Sequence, residues 1–254
     1  MNIDALLPAT QALIAQLERL SGFPVSVVED GSMPLLATIR TGTPSNPLHI
    51  IRVRPGDALP DYHVAYEVGF ALRMFSRAPE ARFNLAGNEA ERRRVCEALL
   101  RKQPGLAPDQ AEAVGRQLFD GLLRQLRSVP VGMLVDLTLH RDHPELRALQ
   151  RQSLTAQAQE NTTSLAAEHG RNFPEVVVQG NRAMNAAYAL FVADLTDAPH
   201  LTVPFRAAGL ESAGAQLLAS VTAEPADQVD DRALIETWAR QLGISDWLKF
   251  LPLT

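Results

Sequence analysis

Cysteine is nearly absent from this sequence of 254 residues, where Cys96 stands alone. One thiol can close no internal disulfide and build no Cys-rich zinc site, so a reducing cytoplasm is the expected compartment. Lysine is almost as scarce: only Lys102 and Lys249 occur among 24 basic residues. With Ala and Leu abundant beside this arginine bias, the composition is that of GC-rich coding and reads as bacterial. Acidic residues outnumber basic ones 29 to 24, and a net charge of -5 leaves no positive excess for a phosphate backbone, so nucleic acid is not an expected partner. Long apolar runs are missing too. No stretch approaches the roughly 18 residues of a membrane span, and Met1-Asn2-Ile3-Asp4 lacks the basic start of a secretory signal, so no membrane association is expected. What remains is a globular composition, 46% hydrophobic and 21% charged, long enough for one extended domain or two small ones.

The apolar pattern divides the chain into elements. Ile3, Leu6, Leu7, Leu13, Ile14, Leu17 and Leu20 recur at helical spacing and stop before Gly22. Three β-rich runs follow, Phe23 to Val28, Leu35 to Arg40 and Leu48 to Val53, separated by turn residues; they predict a small antiparallel sheet. Tyr62 to Phe75 carries apolar or small residues on more than one face and predicts a largely buried helix. Helices are then expected at 89–102, 108–126, 130–140, 144–169, 174–195 and 231–242, with a short strand at 199–205. The fold class is α+β, with an N-terminal sheet packed on helices and a mostly α-helical C-terminal half. The expected division is residues 1–150 and 151–254.

The buried helix contains the one stretch with a chemical pattern, Asp61-Tyr62-His63-Val64-Ala65-Tyr66-Glu67-Val68-Gly69-Phe70-Ala71-Leu72-Arg73. It resembles the gluzincin-like pattern D-Y-x-x-A-H-E-x-G-H-x-L-R of zincin metallopeptidases, in which two histidines four residues apart hold zinc and the glutamate activates the metal-bound water. Pro130-Val131-Gly132-Met133-Leu134-Val135-Asp136, followed by Pro144-Glu145-Leu146-Arg147, is similar to the segment that supplies that family's third ligand, a glutamate. The likeness covers residues 20 to 150. It implies a zincin-like fold, with Tyr66 and Phe70 at the histidine positions, Glu67 at the base position, Gly69 allowing close approach to the helix and Asp136 at the third ligand position.

The replacements decide what that site can do. His63, Tyr66, Glu67 and Phe70 share one helical face, but Phe70 offers no lone pair, Tyr66 coordinates only as phenolate, and Asp136 is shorter than glutamate by a methylene. Zinc is therefore not expected. The reading that follows is a catalytically inactive scaffold acting as a protein-binding or regulatory subunit, in a multi-component bacterial system. The polar helix 144–169 and the Val176-Val177-Val178 start of the next helix are its first candidate partner surfaces. The alternative is a metal-dependent endopeptidase with an atypical or relocated site, in which His63, Glu67 and Asp136 hold zinc or another divalent ion, manganese and iron suiting this donor set better, and Glu67 is catalytic.

Other features carry less. His140 and His143 flank Asp142, either as a divalent-ion site or as the polar end of a helix. Ser212 and Ser220 lack a nucleophile elbow, and no glycine-rich phosphate loop is present. Arg92-Arg93-Arg94, Arg101 and Lys102 form a basic strip that Glu89, Glu91 and Glu97 offset. Cys96 sits at core spacing among Val95, Leu99 and Leu100, as an inert thiol would.

Overall fold

Pro8 at the first helical position and Gly22 in the left-handed conformation, φ 76°, bracket the first helix, α1 (Pro8–Ser21). The computed structural model describes residues 1–253. After α1 come β1 (Val25–Glu29), β2 (Ala37–Arg40), β3 (His49–Val53), α2 (Pro60–Phe75), β4 (Phe83–Gly87), α3 (Glu89–Lys102) and α4 (Pro108–Asp142). The rest is α5 (Arg147–Glu160), α6 (Ala167–Asn172), α7 (Glu175–Thr196), α8 (Val203–Ala207), α9 (Glu211–Thr222), α10 (Asp231–Gln241) and β5 (Leu248–Pro252). The chain is thus α+β with a mostly helical C-terminal half. Among the described residues no helix is long and apolar enough to cross a membrane.

Set beside the expected division at residue 150, the compact units interleave. One comprises 1–83, 134–153 and 252–254; the other comprises 84–133 and 154–251. Helices α4 and α5 each supply residues to both.

In the first unit the sheet order is β1-β3-β2. β2 and β3 pair antiparallel as expected, Ile39 opposite Ile51, but β1 runs parallel to β3, Val27 opposite Ile51. The difference follows from burial. β3 alternates inward residues at His49, Ile51 and Val53 and takes the centre, while the half-exposed β2 is left at the edge. Leu13, Ile14 and Leu17 of α1, Val25 and Val27 of β1, and Val64, Ala65, Val68 and Ala71 of α2 complete this core. His49 is fully enclosed in it. The Gly42 amide donates to its Nδ1 at 3.0 Å, so in the neutral ring Nε2 is the donor to Ser21 Oγ at 2.9 Å, and burial lowers its pKa.

In the second unit α7 is the central helix, burying Ala183, Met184, Ala186, Ala187, Ala189 and Val192 among others. A Cβ placed on Gly214 of α9 would stand 2.8 Å from the backbone of Ala186 and Ala187, so these two helices touch backbone to backbone. Gly115 of α4 likewise lies against Cys96 of α3, where a Cβ would stand 2.6 Å from Sγ. Phe119 stacks on Trp247 at 4.8 Å, with the Arg92 guanidinium over its ring at 5.1 Å. Trp238 of α10 donates from Nε1 to Leu217 O and Ser220 Oγ.

Several expectations are corrected. Two helices divided near Pro130 are one, because Val131, Met133, Leu134 and Val135 carry the buried face straight past the proline and offset its missing hydrogen bond. The strand expected at 199–205 is a 3₁₀ turn followed by α8; its buried apolar residues, Leu201 and Phe205, are four apart, which is a helical period. The polar helix 144–169 is interrupted at Asn161–Leu165, where Thr162 and Ser164 hydroxyls donate to backbone carbonyls three residues back. The first helix begins at Pro8, with Ile3–Ala5 a separate 3₁₀ turn. β4 and β5, which pair as a two-stranded sheet, and α9 were not foreseen.

Candidate functional site

The motif helix α2 begins where Asp57 folds back on its own chain. The Leu59 amide donates to Asp57 Oδ1 at 3.0 Å, an Asx-type turn that fixes the chain just ahead of the helix, and Pro60 then enters at the first helical position. Tyr62, His63, Val64, Ala65 and Val68 are buried, while Tyr66, Glu67, Gly69 and Phe70 are half-buried.

The two positions where the resemblance places metal-binding histidines form an aromatic pair. Tyr66 and Phe70 lie edge to face at 5.2 Å and 78°, and Tyr62, one turn earlier, continues the row at 6.0 Å from Tyr66. Gly69 allows α4 to come close: a Cβ there would stand 2.5 Å from Val135 Cγ1. The neighbour of Val135 is Asp136, which is 1% exposed. Its Oδ1 accepts from Tyr62 Oη at 2.8 Å and from Gln150 Nε2 at 2.9 Å, and Gln150 Nε2 also donates to the Asp136 carbonyl. His140 Nδ1 donates to Gln150 Oε1 at 3.1 Å and extends the network. Burial pushes the Asp136 carboxyl up to about 7, against the lowering effect of the Gln150 and Tyr62 hydrogen bonds.

Glu67 serves the sheet. Its Oε2 accepts the Ile39 amide at 3.0 Å, satisfying an outward-facing donor of edge strand β2. Burial raises its pKa to about 7, and the Ile39 hydrogen bond works in the opposite direction. His63 turns elsewhere: its Nδ1 is 2.6 Å from Asp57 Oδ2 and its Nε2 is 2.9 Å from Ser153 Oγ.

His63, Glu67 and Asp136 are thus each engaged with a different group: the Asp57 and Ser153 side chains, the Ile39 amide, and Tyr62 with Gln150. Among the described residues no three His, Cys, Asp or Glu side chains are grouped to hold a metal ion. The donors at the motif positions do not fit a tetrahedral zinc, since Phe70 has none and the carboxylate of Asp136 is already shared by two donors. Asp142 is paired with Arg141 through two contacts, 2.7 and 2.9 Å, which lower its pKa.

Elsewhere several of the sequence candidates are engaged within the fold. Arg92 pairs with Glu89 and Asp120, Arg94 with Glu91, and Lys102 Nζ donates to the Gly170 carbonyl. Cys96 is half-buried, and burial raises its pKa. Val177 and Val178, expected at a partner surface, are buried; of that trio Val176 alone reaches 36% exposure.

Four residues of the site escaped the sequence reading. Tyr62 was readable, since it stands one helical turn before Tyr66. Asp57 had a weaker signal, as the end of a Pro-Gly-Asp turn ahead of a helix. Gln150 and Ser153 carried none: Gln150 meets Asp136 and His140 only because the chain turns back between α4 and α5, and Ser153 is 90 positions from His63, across a path no local pattern encodes. No protein-family model, no curated protein and no solved structure matches the chain.

Proposed function

We propose that the chain is a zincin-like scaffold, silent at the metallopeptidase motif, that works as a protein-binding or regulatory subunit in a multi-component bacterial system. The observation that carries this reading is the edge-to-face pair of Tyr66 and Phe70, which puts two interacting rings where a peptidase needs two imidazoles. Glu67 supports it. A water-activating base must face the metal and substrate, whereas this carboxylate holds the Ile39 amide of an edge strand. Partner binding is supported by exposed apolar side chains beside that same edge, Leu35 at 60% and Leu36 at 42%. These two residues directly precede β2.

Metal analysis of protein purified without chelator tests the reading. The expected result is a divalent metal content far below one per chain, no cleavage of a peptide library, and an unfolding temperature that EDTA does not change. Near one metal per chain, with peptide cleavage that Glu67→Gln abolishes, overturns it in favour of a metal-dependent endopeptidase.

A further inference from the structure

The first unit contains two histidines that each contact a serine, and they are wired in opposite senses. At His49 a backbone amide occupies Nδ1, so in the neutral ring Nε2 is the donor and Ser21 Oγ the acceptor. At His63 a carboxylate occupies Nδ1. Asp57 Oδ2 at 2.6 Å can only accept, so the ring carries its proton on Nδ1, and in the neutral ring the bare lone pair of Nε2 accepts from Ser153 Oγ at 2.9 Å. Asp57 is itself fixed through its other oxygen by the Leu59 amide at 3.0 Å. The side chains of Asp57 and His63 are 4% and 9% exposed, while Ser153 on α5 is half-buried and keeps access to solvent.

These are the relations that activate a serine: a buried carboxylate that sets the tautomer, an imidazole base, and a hydroxyl that donates its hydrogen bond to that base. We propose that Ser153 is a nucleophile toward small carboxylic esters, with His63 as its general base and Asp57 as the positioning residue. The site adjoins the aromatic row of α2, the His63 ring lying 5.4 Å from that of Tyr62, but it uses none of the row's residues and does not rest on the scaffold reading, which concerns metallopeptidase chemistry alone. In the forward step Ser153 Oγ bonds to the ester carbonyl carbon and passes its proton to His63 Nε2. Collapse of the adduct breaks the carbon–alkoxide bond, and the leaving alkoxide takes that proton away as alcohol. Water then attacks the acyl-serine, giving its proton to Nε2, and the proton returns to Ser153 Oγ as the carboxylic acid departs.

The test treats the full-length folded protein with an alkyl fluorophosphonate and maps the adduct by peptide mass spectrometry. A single adduct on Ser153 is expected, absent from Ser153→Ala and from the heat-denatured chain. His63→Gln should slow labelling by a factor of roughly 10²–10⁴, the usual contribution of a general base. Asp57→Asn separates positioning from packing, because asparagine keeps an oxygen for the Leu59 amide but presents an N–H to Nδ1, forcing the proton to Nε2. The ¹⁵N shifts of the His63 ring should then report the Nδ1–H tautomer in the native protein and the Nε2–H tautomer in the variant, with labelling lost in step. Hydrolysis of p-nitrophenyl butyrate should fall to background in Ser153→Ala. Absence of a Ser153 adduct on the folded native protein overturns the proposal, as does a labelling rate unchanged in Asp57→Asn while the tautomer has switched.

Discussion

Asp136 and Glu67 each bring a carboxyl into surroundings that favour its neutral form, and the consequence is a pH dependence of stability with a definite sign. Both pKa values are raised, from 3.8 and 4.5 to about 7, so between those limits the folded chain binds more protons than the unfolded one. Stability contributed by these groups is therefore present at low pH and is lost as pH rises through about 7, at a slope of roughly 1.4 kcal/mol per pH unit for each fully shifted group. His49 works the other way: its pKa is lowered by burial, so its contribution is lost as pH falls below its ordinary value of 6.5. The Asp136→Asn variant isolates one carboxyl from this balance. Asparagine keeps an Oδ1 acceptor for Tyr62 and Gln150 but cannot ionise. The stability difference, native minus variant, should fall by about 1.4 kcal/mol per unit between pH 5 and 7. Urea denaturation at pH 5, 6 and 7 measures it, and a difference that stays constant would mean that Asp136 is ionised throughout this range.

At the scale of elements, helix contacts depend on glycines whose neighbours differ in how far they can yield. A methyl on Gly214 meets the backbone of Ala186 and Ala187 at 2.8 Å, which can move only if α7 and α9 separate. A methyl on Gly69 meets one side-chain methyl of Val135, a β-branched residue with few alternative rotamers in a helix. Both substitutions to alanine should destabilise by about 1–3 kcal/mol, Gly214→Ala the more, since overpacking costs most where relaxation is blocked. Adding Val135→Ala should recover part of the Gly69→Ala loss and none of the Gly214→Ala loss, a double-mutant cycle readable by thermal denaturation. The same contacts mark how much the sequence disclosed. Helix α3 was legible to the residue because Asn88 caps its start and its periodicity is undisturbed. The reading failed where local signals and tertiary packing disagree, as at Pro130, whose breaking tendency is overridden by the buried residues on either side. It failed again where partners are remote, as with β1 beside β3 and Ser153 beside His63, since periodicity fixes which face an element buries and not what covers that face. For the site, the aromatic substitution at 66 and 70 was readable, but the hydrogen-bond partners of Glu67, His63 and Asp136 were not.

At the scale of the whole molecule, the interleaving of the two units has a consequence for any attempt to divide the chain. A cut after residue 150 looks natural from the motif, because the resemblance to a peptidase ends there. The second unit, however, is assembled from 84–133 and 154–251, and its parts complete each other. Phe119 is buried with Trp247 stacked on its ring, Leu122 packs on Gly180 of α7, and Gln103 Nε2 and Lys102 Nζ donate to the carbonyls of Asn172 and Gly170. In a fragment of residues 1–150 the covering groups are gone. Re-exposing two side chains such as Phe119 and Leu122 costs about 1.5–3 kcal/mol each, which against a total stability of about 5–15 kcal/mol removes a large share before any other loss is counted. The fragment should therefore aggregate, or unfold without a cooperative transition, and its amides between 84 and 133 should exchange with deuterium within seconds, while the intact chain protects those of α3 and α4. A soluble 1–150 fragment with a sharp melting transition and slow exchange across 108–133 would show that α3 and α4 hold their fold without α7, and that the interleaved units are not cooperative ones.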